Sequence, residues 1–468
     1  MNPLLRLASL PGKILTQICW EIVGHLDDHL GDLDQIKAEI QYDTPSLASL
    51  CRTSKRLRDI ATPVLYFRFT TLRGAETAIP FLVAISQRQF LGLCVRKLDL
   101  CQGTSMDKIL DQRIFQTTRV DEKMTEAQRQ ILNEAATRLD IDEASIHLEQ
   151  FATIVQLILA YTPLVRSVHI ATLLAGTVDG KWGYTILKQL AAQYPRRVSL
   201  NYLRNLYLEH VNDMNLGSNY SLQYFAGIFK LAPSIDTLHM DPSSGIDLPR
   251  QIMTRPQVSL ANVTTLSLAE GNTPSNAVKW MIRDCAQLKH FQYYSSGYPV
   301  VNRVTLKEIS QVLRLHKDSL LSLSLLLKAK TTRDFNMGIR MPPCADGEQI
   351  LPLKAFTKLE ILELNAPSIR FPKVNTPGYH KHVLNEMLPQ SIKHFRFTTP
   401  QKECIANLQT VAYYRANRFP HLRGVYLTNS SRVFPEQETA FNTNEIEAVR
   451  KRLLSVGVRF EHVELANS

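Results

Sequence analysis

The residues of this chain that could do chemistry unaided are its thirteen histidines and seven cysteines, and their spacing argues against each reaction they could serve. A zinc site needs ligands gathered at short, fixed spacings. The cysteines, at 19, 51, 94, 101, 285, 344 and 404, are scattered and contain no Cys-x-x-Cys pair. His380 and His382 flank Lys381 and could share a metal only with ligands that the sequence does not place near them, so a solvated loop is the plainer reading. There is no His-Glu-x-x-His, Gly-x-Ser-x-Gly or Gly-x-Gly-x-x-Gly, and Gly12-Lys13 lacks the upstream glycine and the following hydroxyl of a phosphate loop. The chain is therefore expected to have no catalytic residue, no metal ligand and no cofactor, and not to be an enzyme.

Histidines do recur in one setting, inside or beside short alternating apolar words such as those around His169, His239, His290 and His394. The word is apolar, two variable residues, apolar, one variable residue, apolar. It runs from Val95-Arg-Lys-Leu98-Asp-Leu100 through Val165-x-x-Val168, Leu203-x-x-Leu206, Ile235-x-x-Leu238, Val263-x-x-Leu266, Leu288-x-x-Phe291, Leu320-x-x-Leu323, Leu359-x-x-Leu362, Ile392-x-x-Phe395 and Leu422-x-x-Val425 to Phe460-x-x-Val463. Its closing alternation predicts a short strand with one face to a core. Between words lie apolar residues at helical spacing, such as Leu222, Phe225, Ile228 and Phe229; Val278, Met281, Ile282 and Cys285; and Leu306, Ile309, Val312 and Leu313. From Val168 to Val463 the repeat averages about 33 residues, longer than the roughly 20 to 29 of most leucine-rich repeats.

One strand and one helix cannot bury their apolar faces alone, so successive units must stack. Period-two geometry turns the residue between the second and third apolar positions outward: Tyr207, His239, Gln292, Glu363, Arg396 and Tyr426 among them. A face mixing aromatic, cationic and amide groups suits protein recognition, and these six are the candidate contacts to a protein partner.

The amino-terminal seventy residues have another pattern. Pro11 can open a helix without losing a bond, and Ile14, Leu15, Ile18 and Ile22 follow on one face. Leu47, Leu50, Cys51, Ser54, Leu57 and Arg58 share a face of a second amphipathic segment, which Lys55, Arg56 and Arg58 would close with favourable charge. A polar insertion, residues 27–45, separates the two.

The wording of these segments, Leu-Pro-x-x-Ile-Leu-x-x-Ile and then Leu-Cys-x-x-Ser-Lys-Arg-Leu-Arg-Asp-Ile-Ala-Thr-Pro-x-Leu-Tyr, resembles the F-box of fungal-type F-box proteins. Lys13, where the family usually has an acid, and the insertion are departures. The repeat words resemble the leucine-rich repeat bodies found behind many F-boxes, although the family's Asn or Cys after the strand is mostly missing, with Asn365 a partial exception. The resemblance implies an α/β fold: a helical F-box-like module at 1–70, then a divergent solenoid at 71–468 with parallel strands inside, helices outside and a helical tract at 107–161. Within that tract helices are expected at Thr125–Leu139 and Ser145–Tyr161. It also implies that Leu10, Pro11, Ile14, Leu15, Ile18, Leu50, Cys51, Ser54 and Leu57 meet the small adaptor subunit of a cullin-RING ubiquitin ligase, and that the repeats hold a protein substrate. The alternative is a leucine-rich repeat scaffold or regulator that works without a ligase.

Composition agrees with a folded chain, at 44% hydrophobic and 21% charged residues. The net charge of +11 would suit an acidic partner, while nucleic acid is disfavoured because the cations are spread rather than clustered. The richest apolar run, Phe151 to Val165, is broken by Gln156, Thr162 and Pro163, short of the roughly eighteen residues that cross a bilayer. Met1 to Leu10 meets Pro11 too soon for a secretory signal. With unpaired thiols, these features predict a cytoplasmic or nuclear protein without a membrane partner.

Overall fold

In a computed structural model of the chain, the described residues are 7, 9–23, 44–71, 77–101, 124–141, 151–172, 185–193, 198–210, 225–242, 258–269, 275–295, 304–327, 350–365, 369, 382–398, 402–430 and 443–465. The chain divides into two compact units. The first holds Met1–Leu173, Asp179–Tyr207 and Tyr224–Ser234, and the second is mainly Ile235–Ser468.

The first unit begins with α1 (Gly12–Val23), α2 (Thr44–Thr53) and α3 (Lys55–Leu65). Pro11 opens α1 as expected: its carbonyl accepts the amides of Ile14 at 3.0 Å and Leu15 at 3.1 Å. The second amphipathic segment, in contrast, is two helices. Ser54 is extended (φ −157°, ψ 158°) and its hydroxyl accepts the amide of Leu57 at 3.2 Å, so it caps α3 instead of continuing α2. Arg58 consequently lies in the first turn of α3, yet its Nε still donates to the carbonyl of Cys51 in the last turn of α2, at 3.1 Å. Cys19, Leu47, Ala61 and Val64 form the module's core, with Trp20, Ile22, Leu50, Cys51, Ile60 and Leu65 packed around it.

The module runs directly into β1 (Arg68–Thr70), which pairs in parallel with β2 (Lys97–Cys101). Trp20 meets the Phe67 ring edge-on at 4.8 Å, and Phe69 stacks at 3.7 Å on Phe81 of α4 (Ala78–Gln87). β3 (Ser167–Thr172) follows β2 in parallel, and β4 (Asn205–His210) follows β3.

Behind the strands of this unit lie α5 (Gln89–Gly92), α6 (Glu126–Arg138), α7 (Phe151–Tyr161), α8 (Thr185–Gln193) and α9 (Ala226–Leu231). The expected helix at Thr125–Leu139 is α6, started by a capping box in which Thr125 and Gln128 exchange side-chain bonds with each other's backbone. The expected helix at 145–161 is described from Phe151 onward as α7. Both pack against α4, and Tyr161 Oη donates to the carbonyl of Ala135 at 2.7 Å. Much of the charged tract, like most of the 27–45 insertion, Leu222 and His380, lies outside the described residues.

The second unit carries β5 (Thr237–Pro242), β6 (Thr265–Leu268), β7 (His290–Ser295), β8 (Ser322–Leu327), β9 (Ile361–Asn365), β10 (His394–Thr398), β11 (Gly424–Ser430) and β12 (Arg459–Leu465), all parallel and paired in chain order. Its helices are α10 (Ser275–Asp284), α11 (Leu306–Leu313), α12 (Val383–Met387), α13 (Lys402–Arg418) and α14 (Thr443–Ser455). The strands put Leu238, Leu266, Phe291, Leu323, Leu362, Phe395, Val425 and Phe460 in one buried row. A parallel sheet with crossover helices is the arrangement that covers such strands.

Ten of the eleven words are core at all three apolar positions. The last is not. Phe460, not Val463, pairs with Val425, and Val463 falls opposite Thr428 at 47% exposure. The register lies three residues before the position that the word at Phe460–Leu465 predicts, an odd number that puts every side chain on the other face; Val458 and Phe460 supply the core there.

At the strand starts the repeats are bridged by backbone. In repeat after repeat one carbonyl before the strand accepts two successive amides of the next repeat: Arg166 O takes those of Arg204 and Asn205, Lys289 O those of Leu321 and Ser322, Glu360 O those of Lys393 and His394. Buried side chains add to this. Asn365 accepts the amide of Leu327 at 3.1 Å and donates to its carbonyl at 2.5 Å, while His316 Nε2 meets the carbonyl of Ile282 at 2.8 Å.

Candidate functional site

The nine residues expected to meet an adaptor divide by burial. Leu15 and Leu57 are each 1% exposed and belong to the module's interior; Leu50 and Cys51 are half-buried against its core, with Cys51 Sγ 3.9 Å from Thr62 Oγ1. Ser54 is occupied as a cap. Of the remaining four, Pro11 and Ile14 are exposed, Ile14 at 46%, while Leu10 and Ile18 are half-buried beside them. Arg56 fixes the approach to this patch by donating to the carbonyl of Leu10 at 2.8 Å.

On the second unit, strand pairing turns five of the six outward residues into one row: His239, Ser267, Gln292, Ser324, Glu363, Arg396, Tyr426 and Glu461 are successive partners across β5 to β12. Neighbours in the row are coupled. Ser267 Oγ donates to Gln292 Oε1 at 3.3 Å, Ser324 Oγ donates to Glu363 Oε2 at 2.8 Å, and the Arg396 guanidinium lies 5.7 Å from the centre of the Tyr426 ring. Tyr207, the sixth, belongs to the first unit, where it sits edge-on to His169 at 6.4 Å and burial raises its hydroxyl to about 12.

The parallel row two residues nearer the strand starts holds residues that the outward positions leave out. His394, Gly424 and Arg459 are register partners there. Tyr426 folds over Gly424, where an added Cβ would come within 2.6 Å of Oη, and its hydroxyl reaches His394 Nδ1 at 3.4 Å. Burial first, and then the nearby Arg396 and Arg423, hold the His394 imidazole below its ordinary pKa, so it is neutral near pH 7. A glycine where the other words carry a side chain was the available signal. The result is a polar surface centred on β9 to β11 that offers a guanidinium, a phenol, a neutral imidazole and a carboxylate.

Among the described residues no group of three or more His, Cys, Asp or Glu side chains could hold a metal ion, and no helix is long and apolar enough to cross a membrane. Comparison of the chain with protein-family models finds no match, and comparison with curated proteins finds none either.

Proposed function

We propose that this chain is the substrate-recognition subunit of an SCF-type ubiquitin ligase, docking through its amino-terminal helices and holding protein cargo on the open face of its repeats. The observation that carries the reading is the division of labour within one short module. Leu15, Leu47 and Leu57 are spent on the interior, while at the start of α1 Pro11 and Ile14 are exposed and Leu10 and Ile18 only half-buried. An apolar patch on a small module with a filled core is what a helical adaptor could cover. The row from His239 to Glu461 supports the cargo half through its mixture of cationic, aromatic and amide groups.

A second reading is favoured by one observation of its own. The module runs into β1, and Trp20 packs on Phe67, so these helices also serve as an amino-terminal cap of a repeat scaffold. Co-purification with the adaptor subunit separates the two. Leu10→Ala, Pro11→Ala and Ile14→Ala together should abolish adaptor binding while circular dichroism and melting stay near the parent's. Undiminished binding would sink the receptor reading, and unfolding without any adaptor binding by the parent would favour the cap.

A further inference from the structure

The helical side of the second unit carries a feature that the open face does not explain. Tyr413 on α13 is 67% exposed, yet it is fixed: it meets Tyr414 edge-on at 5.0 Å, and the guanidinium of Arg452 from α14 lies 5.8 Å from its ring centre. On the other flank Arg418 lies 5.3 Å from the Tyr414 ring, and His382 at the start of α12 lies 6.3 Å from it. Three helices thus contribute to one continuous strip of aromatic rings and cations.

The charges of the strip do not balance. Glu386 is shared by two cations, Lys354 at 2.5 Å and Arg418 at 3.2 Å. Arg452 has no carboxylate partner among the described residues, and the Nε of Arg415, one turn before Arg418, is buried without a hydrogen-bond acceptor. Positive charge is therefore in excess on a surface already ordered by ring contacts. A guanidinium stacked on a ring keeps its in-plane N–H groups free to take carboxylate oxygens in pairs.

We propose that this strip, centred on Tyr413, Tyr414, Arg418 and Arg452, is a docking surface for an acidic peptide segment of a partner protein. Acidic side chains match the Arg452 guanidinium, which has no carboxylate among the described residues, and can compete with Glu386 for Arg418, while the two tyrosines give amphipathic contact area with few rotatable bonds. Nucleic acid fits less well. Base stacking needs open ring faces, whereas both tyrosines lie beside a guanidinium and against each other.

The full chain can be titrated with a fluorescein-labelled peptide alternating Glu and Leu, read by anisotropy at low salt, with the matching Gln and Leu peptide and oligouridine as comparisons. The Glu peptide should bind and the Gln peptide should not. Arg418→Gln with Arg452→Gln should weaken binding about tenfold, as expected for losing charge-assisted pairs. Glu386→Gln should tighten it by removing the competing carboxylate, a gain that damage to the fold would not produce. Equal binding of the two peptides, an unchanged affinity in the double arginine variant, or displacement of the peptide by oligouridine through the same residues would each overturn the proposal.

Discussion

The hydroxyl of Tyr426 lies 3.4 Å from Nδ1 of His394, on the neighbouring strand, because Gly424 leaves room for the phenol ring to fold back across β11. Gly424→Ala should therefore push Tyr426 off its site. The expected cost is small, within about 0.5 kcal/mol, because the atoms met are the far end of one half-buried side chain that can swing away. Chemical denaturation measures it, and the His394 ring resonances should shift in the same variant.

Burial of His394 and the nearby Arg396 and Arg423 set a pH dependence. Because His394 is held below its ordinary pKa, the unfolded chain binds a proton more readily than the folded one as pH falls through about 6.5. Stability is then complete above that value and declines below it. His394→Gln should lose less stability than the parent between about pH 7 and about pH 5, as measured by melting at each pH.

Glu308 works in the opposite sense. Burial alone would raise it, but hydrogen bonds from Lys279, Thr305 and Ser275 outweigh that and bring it down to about 2. It closes the capping box of α11 and pairs with Lys279 at 2.9 Å. Glu308→Gln keeps the capping box, as Gln128 does in α6, and loses the ion pair with Lys279, so it should cost about 1 kcal/mol or less at neutral pH. The difference between variant and parent should be full above about pH 4.5 and shrink as the pH is lowered toward about 2, which acid unfolding of the two proteins would show.

The strand register separates two classes of substitution. Leu266 lies between Leu238 and Phe291 with no exposed surface, so Leu266→Asp would bury an unpaired carboxylate at a cost of several kcal/mol, on the order expected for a lone buried charge. Ala at His239, Gln292 or Arg396 should stay within about 0.5 kcal/mol. Limited proteolysis and melting test both; a Leu266→Asp protein that melts like the parent would show the register to be wrong.

Asn365 is a junction between repeats. Its amide meets both backbone groups of Leu327, and Asn365→Leu would leave a buried N–H and C=O unpaired, costing about 1 to 3 kcal/mol. Hydrogen exchange at the Leu327 amide should accelerate in this variant well before global unfolding.

What the sequence determined by itself was periodicity. The words from Val95 to Leu427 reported a strand every few dozen residues because burying one face of a strand constrains residue type at every second position, and that constraint is local. The start of α1 at Pro11 and the cap of α6 at Thr125 were legible for the same reason, since a helix start is written in the residues that make it. Other features were settled only by contacts distant in the chain. Ser54 could continue a helix or cap one, and the choice depends on how α2 and α3 pack. Val463 and Phe460 compete for the same register, and only pairing with β11 decides which faces the core. The company of Tyr426 with His394, or of Tyr413 with Arg452, depends on which strands and helices become neighbours, because a side chain's spacing in sequence fixes its face but not what lies across from it.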